Sequence, residues 1–254
     1  MDWARHRKWT VITVLVAFCV AILCIIGFAI FYKTPTCIDK KQDGDETGID
    51  CGGSCSTVCS VNATPASVRF VRTLNQSGRT DLIAYIDNPN QTLYTKDAHL
   101  TIEAYGVNGE SVTRHVALTL LPGAVTPLYV PGIGNGEVVR QAFVTFDSGY
   151  PVWMKSPIQK SQLPVASDTN IDTTGTPHIT ATISNQTAYQ GQNVPVIATV
   201  FGSDGSAIAA SQTVIQTLPP QGSALVTFTW NEPFSDIPAR VEIVPILSLP
   251  VSLP

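Results

Sequence analysis

Charge is the first thing this sequence lacks. Only 13% of its 254 residues are Asp, Glu, Lys or Arg, about half the share usual in soluble domains. Beyond the first eight positions there is no Lys/Arg-rich run, which excludes the basic footprint of a nucleic-acid binder. Histidine is also sparse: His6, His99, His115 and His178 stand far apart. No HxH, HExxH or Gly-x-Ser-x-Gly pattern occurs, so no local metalloprotease or serine-hydrolase motif is present. Outside residues 37–59 the acids are spread singly as well. These absences lead us to expect a non-enzymatic protein. A second long apolar run is missing too: the C-terminal PILSLPVSLP is apolar, but it is short and broken by proline.

What is present begins with the N-terminus. Residues 1–8 form a short basic tail with Arg5, Arg7 and Lys8. Residues 9–32, Trp9 to Tyr32, then run without a single charged side chain. Such a run is long enough to cross a ~30 Å hydrocarbon core as a helix. Trp3 and Trp9 at one end, and Phe31 and Tyr32 at the other, suit the two membrane interfaces. The run exceeds the h-region of a cleaved signal peptide. Neither Cys19, after Phe18, nor Cys24, after Leu23, sits in a lipoprotein context. The expectation is an uncleaved signal-anchor contacting the lipid bilayer through residues 9–32. Flanking charge barely orients it, because Lys33, Lys40 and Lys41 follow the span. The cysteine-rich stretch that comes next belongs in an oxidising compartment. That places the N-terminus in the cytoplasm and the C-terminal part outside the cell membrane.

Residues 33–62 hold four of the six cysteines, Cys37, Cys51, Cys55 and Cys59, among glycines and acids. Their spacing has one clustered end, unlike the paired knuckles of structural zinc, so two disulfides are expected. Four cysteines allow three pairings, and spacing does not choose among them. Apolar residues are nearly absent from residues 37–59, with only Ile38, Ile49 and Val58, so cross-links must stand in for a core. The acids suggest calcium. Counting Asp39 as position 1 of a twelve-residue loop puts Asp43, Asp45 and Asp50 at positions 5, 7 and 12, with Gly44 at the bend. Lys41 at position 3 breaks the pattern. The expectation is a solvated acidic turn between disulfides and no cofactor, with calcium on Asp39, Asp43, Asp45 and Asp50 as the alternative.

From Ser67 onward the pattern is β. Short segments rich in Val, Thr and aromatics are separated by turn signals such as Asn108-Gly109 and Pro122-Gly123. The second half answers the first. Asn88 aligns with Asn185 (185 − 88 = 97), Gly109 with Gly205 (205 − 109 = 96) and Pro122 with Pro219 (219 − 122 = 97). The expected fold class is mainly β: one transmembrane helix, a small disulfide-bonded module and two tandem immunoglobulin-like β-sandwiches at residues 63–155 and 177–254, joined by a linker at 156–176 with room for a first strand of the second domain near Leu163–Ser167. Four Asn-x-Ser/Thr sequons, at Asn62, Asn75, Asn90 and Asn185, would act only in a eukaryotic secretory pathway.

The stretch Glu103-Ala-Tyr-Gly-Val-Asn-Gly109, and its copy ending Val200-Phe-Gly-Ser-Asp-Gly205, resemble the signature of FxLYD-type domains, with Gly106 and Gly202 where that signature has Asp. Those domains are immunoglobulin-like sandwiches of bacterial envelope proteins. The second copy is similar to membrane-anchored proteins of candidate-phylum bacteria. The run Asp45-Glu-Thr-Gly-Ile-Asp-Cys-Gly-Gly-Ser-Cys55 is similar to a cysteine motif of bacterial surface proteins. The resemblance implies fold and an envelope location, and no activity. The functional expectation is a non-enzymatic single-pass envelope protein whose sandwiches act as spacer and binding surface for another envelope protein or a surface polymer. The alternatives are a membrane-embedded assembly subunit, or a tethered hydrolase or carbohydrate-binding protein.

Overall fold

The computed structural model describes residues 2–31, 36–76 and 78–249. They fall into two compact units, residues 1–55 and 56–254. The first unit opens with α1, Asp2–Phe31. The helix therefore absorbs the described part of the basic tail. Its stretch from His6 to Ala29 is long and apolar enough to cross a membrane, and its window of highest hydropathy buries nothing. Thr10 and Thr13 donate their hydroxyls to the carbonyls of His6 and Trp9 one turn back, which satisfies both groups inside the helix. Tyr32 and residues 33–35 lie outside the described residues.

The second unit is built of antiparallel strands. β1, Thr57–Val58, precedes β2 (Ser67–Gln76), β3 (Arg79–Asp87), β4 (Leu93–Gly106), β5 (Ser111–Leu120), β6 (Val125–Val130), β7 (Val139–Phe146) and β8 (Trp153–Lys155). The strands β9 (Val165–Asp172), β10 (His178–Ser184), β11 (Gly191–Phe201), β12 (Ala207–Leu218), β13 (Ser223–Thr229) and β14 (Arg240–Pro245) complete it. The stretch expected as a linker contributes β9, which pairs with β10 from Val165 to Asp172.

In the first half, β2-β3-β6 form one sheet, while β5-β4-β7, with β8 and β1 added at the start of β4, form the other. In the second half, β9-β10-β13 and β12-β11-β14 repeat that order strand for strand. The turns repeat as well. Asn88 is fully buried, and its Nδ2 donates to the carbonyls of Leu93 and Leu121, both at 2.8 Å. Asn185 donates likewise to Tyr189 and Pro219, at 2.8 and 2.9 Å. Each accepts at Oδ1 from the backbone N–H two residues on. Each thus ties the crossover between sheets to the turn that precedes the fifth strand of its half.

The halves are not beads on a string. β3 is buried at every position from Thr80 to Ile86, although a sheet with one wet face would alternate. Ile197, Phe201 and Ala210 belong to the first half's hydrophobic cluster. Val196, Ala198 and Val200, one position out of phase on β11, belong to the second half's own core. One face of β11 therefore fills its own sandwich, and the other packs on the β2-β3-β6 sheet. At that contact Tyr85 stacks on Phe70 (centroids 4.7 Å) and meets the edge of Phe201 at 6.1 Å. The Arg240 guanidinium caps Phe201 from 4.0 Å. Residues 56–249 thus form four stacked sheet layers, with the central strands of the inner two, β3 from Thr80 to Ile86 and β11 from Val196 to Phe201, buried on both faces.

Candidate functional site

The cysteine module is held by hairpin-scale turns. The Glu46 N–H donates to the Asp43 carbonyl, the Thr47 and Gly48 N–H groups donate to the Cys51 carbonyl, and the Cys55 N–H donates to the Gly52 carbonyl. Two glycines make this path passable. Gly52 has φ +82°, and a Cβ there would lie 1.9 Å from Thr47 Oγ1; Gly53 has φ +53°, and a Cβ there would lie 2.2 Å from the Asp45 carbonyl oxygen. Any other residue would meet both a left-handed backbone and a collision. The motif's Gly52 and Gly53 are thereby accounted for by backbone conformation and close approach.

All four expected cysteines are oxidised. Cys37 pairs with Cys55 across 18 residues, and Cys51 and Cys59 are both disulfide-bonded. A loop of that size closed covalently is worth about 3 kcal/mol in the chain-entropy model. Ile38 and Ile49 both point to solvent while Cys55 is fully buried, so the cross-link occupies the place of a core. Cys19 and Cys24 are free, on the exposed surface of α1.

The carboxylates of the calcium expectation do not converge. Asp39 Oδ1 accepts from the Lys41 N–H, and both oxygens of Asp50 accept from the Lys40 N–H. Asp43 Oδ1 accepts from the Thr36 N–H, and Asp45 Oδ1 from the Ser54 hydroxyl. Asp39 and Asp50 thus hold consecutive N–H groups, while Asp43 and Asp45 accept elsewhere. Among the described residues, the one group of three potential ligand atoms within 4.8 Å is Cys37, Glu46 and Cys55. Two of these are disulfide sulfurs, with no thiolate to offer a metal. Glu46 is itself buried; its Oε2 accepts from the Asp43 N–H, and its Oε1 lies 3.2 Å from Cys55 Sγ.

The β unit carries a 220 Å³ cleft lined by Arg79, Asp81, Tyr129, Ser211, Asn231 and Glu232. Asp81, 3% exposed, is saturated inside it. Its carboxylate accepts from Arg79 Nε (2.7 Å) and Nη2 (2.8 Å), from the Tyr129 hydroxyl (2.5 Å) and from the Gly132 N–H (2.8 Å). Burial first, then the bond to Asp81, hold the Tyr129 phenol well above its ordinary pKa. A carboxylate with four donors is a structural tie that pins the 131–136 turn to β3.

The outward face of β5-β4-β7 is different in kind. Alternation along β4 points His99, Thr101, Glu103 and Tyr105 to solvent. Register places Thr113 and Phe143 beside Glu103, and His115 and Thr145 beside Thr101. Tyr105 and Phe143 meet edge to face at 6.1 Å, and His99 lies against Tyr150 at 4.2 Å. The Tyr105 hydroxyl donates to Glu103, which raises the phenol's pKa. The Thr101 hydroxyl donates its one proton to Asp147 (2.5 Å), so His115 Nδ1, 2.9 Å away, is the donor to Thr101 Oγ1. Two of the histidines that look scattered in sequence thus share one face. The signal for it lay in the x-His-x-Thr-x-Glu-x-Tyr alternation of β4.

No known family profile matches the chain, and no curated protein matches it. Among solved structures it is similar to red sea bream transglutaminase (8% identity, TM-score 0.23, 73% of this chain and 31% of that one). It is similar also to the N-terminal CBM22 tandem domain of Paenibacillus barcinonensis Xyn10C (9% identity, TM-score 0.14, 76% and 89%). A third is Bacillus subtilis oxalate decarboxylase (10% identity, TM-score 0.11, 73% and 77%). The chain spans about a third of the transglutaminase's length. TM-scores this low carry no argument about fold or function.

Proposed function

We propose that this is a non-enzymatic, single-pass envelope protein in which α1 anchors a disulfide-bonded module and a β body of two immunoglobulin-like copies outside the cell membrane. The observation that carries the reading is the dry contact between β2-β3-β6 and β12-β11-β14. Two sandwiches sharing one core cannot swivel, so their outer faces keep a fixed spacing, as a presenting device needs and a flexible tether does not. The identical strand order and the Asn88/Asn185 pair support descent of the two halves from one domain. The oxidised cysteines support an extracytoplasmic setting. The partner is another envelope protein or a surface polymer.

The test is membrane fractionation of cells expressing the full chain, followed by labelling of intact spheroplasts with a membrane-impermeant amine reagent. The expected result is retention in the pellet after alkaline carbonate and labelling of Lys96, Lys155 and Lys160. Release by carbonate, or labelling only after lysis, overturns the proposal.

A further inference from the structure

The contact between the halves shows what the free ends of the stack lack. By strand register, β10 carries Thr180 and Thr182 where β3 carries the interfacial Ile83 and Tyr85. At the opposite end, β4 carries Thr101 and Glu103 where β11 carries Ile197 and Thr199, and β5 carries Thr113 where β12 carries Ala210. Ile83, Tyr85, Ile197 and Ala210 thus give way to threonine at the free ends and Thr199 to glutamate, a gain in polarity like that of the caps of repeat arrays. A third sandwich docked on β5-β4-β7 in the same way would bury Glu103 without a cation, so head-to-tail stacking of copies is disfavoured.

A cap needs only polar residues, yet this one keeps exposed rings. Phe143 is 47% exposed, Tyr105 40% and Tyr150 39%. They fall in two groups: Tyr105 with Phe143 at one end of the face, and Tyr150 with His99 at the other. Tyr105 and His99 are six residues apart on β4, roughly 20 Å at strand rise. Between them lie Glu103, Thr101, His115, Thr113, Thr145 and Asp147, all hydrogen-bonding groups. No branched aliphatic side chain stands on the outward strand positions between the two groups, in contrast to Ile83 and Ile197, which share the buried cluster that spans the two halves.

We propose that the outward face of β5-β4-β7 binds an extended, uncharged glycan chain. This rests on the envelope reading above and names the partner class. Sugar rings present C–H faces that stack on aromatic rings, and hydroxyls that match carboxylate, imidazole and threonine groups. The separation of the ring groups selects an extended ligand over a monosaccharide. Charge selects against anionic polymers, because Glu103 and Asp147 are the fixed charges among the face's named groups.

The experiment uses the full chain in lipid nanodiscs, avoiding sugar detergents. Calorimetric titration is made with chitohexaose, with cellohexaose and, as the anionic contrast, with hexagalacturonic acid. At least one uncharged hexasaccharide is expected to bind, with the matching monosaccharide failing to compete at equal concentration. Tyr105→Ala and Phe143→Ala should each weaken it about tenfold, and Leu225→Ala, on the opposite outer sheet, should leave it unchanged. Absence of heat with both uncharged hexasaccharides at millimolar ligand, equal binding by the ring variants, or preference for the galacturonate overturns the proposal. Carbonate retention and spheroplast labelling remain separate readouts, so failure of glycan binding leaves the membrane reading to its own test.

Discussion

Replacing Phe201 by alanine probes the contact on which the fixed body depends. Phe201 is 4% exposed; it receives Tyr85 from the first half and lies beneath Arg240 of its own. A buried Phe→Ala change costs about 3–5 kcal/mol in transfer and cavity terms. The lost edge-to-face pair falls within about 0.5–1.5 kcal/mol. The lost cation–π contact sits near the low end of about 0.5–2 kcal/mol, since the Arg240 side chain is 53% exposed. The neighbouring Arg240–Glu242 ion pair is equally exposed to solvent and adds little. The expected cost is about 4–7 kcal/mol, a large part of a domain's usual ~5–15 kcal/mol. Urea unfolding of the full chain in nanodiscs, followed by intrinsic fluorescence and by proteolysis, measures it. The native chain should unfold its β unit in one transition and the variant in two, with the second half melting first. A cost under about 1 kcal/mol, or two separated transitions already in the native chain, would refute the shared-core reasoning.

Three further outcomes follow from the geometry. Asn88→Ala removes the side-chain bonds to the Leu93 and Leu121 carbonyls and to the Asn90 N–H from a buried position, so a loss of about 3 kcal/mol in the urea midpoint analysis is expected, with a similar loss for Asn185→Ala. Gly53→Ala should hinder formation of the Cys37–Cys55 bond, read by non-reducing peptide mass mapping, because the added Cβ meets the Asp45 backbone. The raised Tyr129 pKa means that the folded state keeps a proton which the unfolded chain loses near pH 10. Its stabilisation is therefore complete below about pH 10 and falls as pH rises further; Tyr129→Phe should lower stability at pH 8 and flatten that alkaline decline in urea midpoints.

Much of the fold was legible because its causes are local. An uncharged run of helical span length, turns at Asn108-Gly109 and Pro122-Gly123, and strands rich in Val and Thr each follow from neighbouring residues. The β9 strand was harder to see. Its sequence VASDTNID is polar, and it is held by pairing to β10 at the sheet edge rather than by its own pattern. The calcium alternative rested on spacing along the chain. Ligand spacing along a chain specifies a site only when the backbone curls around the ion, and here Asp39, Asp43 and Asp50 accept from backbone N–H groups while Asp45 accepts from the Ser54 hydroxyl.

By itself the sequence determined the apolar helix, the oxidised module and two runs of matching strands, since composition and period act residue by residue. Only the tertiary structure decided that Cys37 joins Cys55, that Tyr85 meets Phe201, and that Tyr105 and Phe143 stay in water. A strand's alternation says which positions share a face. What covers that face depends on residues a hundred positions away, and it is the packing of whole sheets that leaves one face dry and its counterpart open.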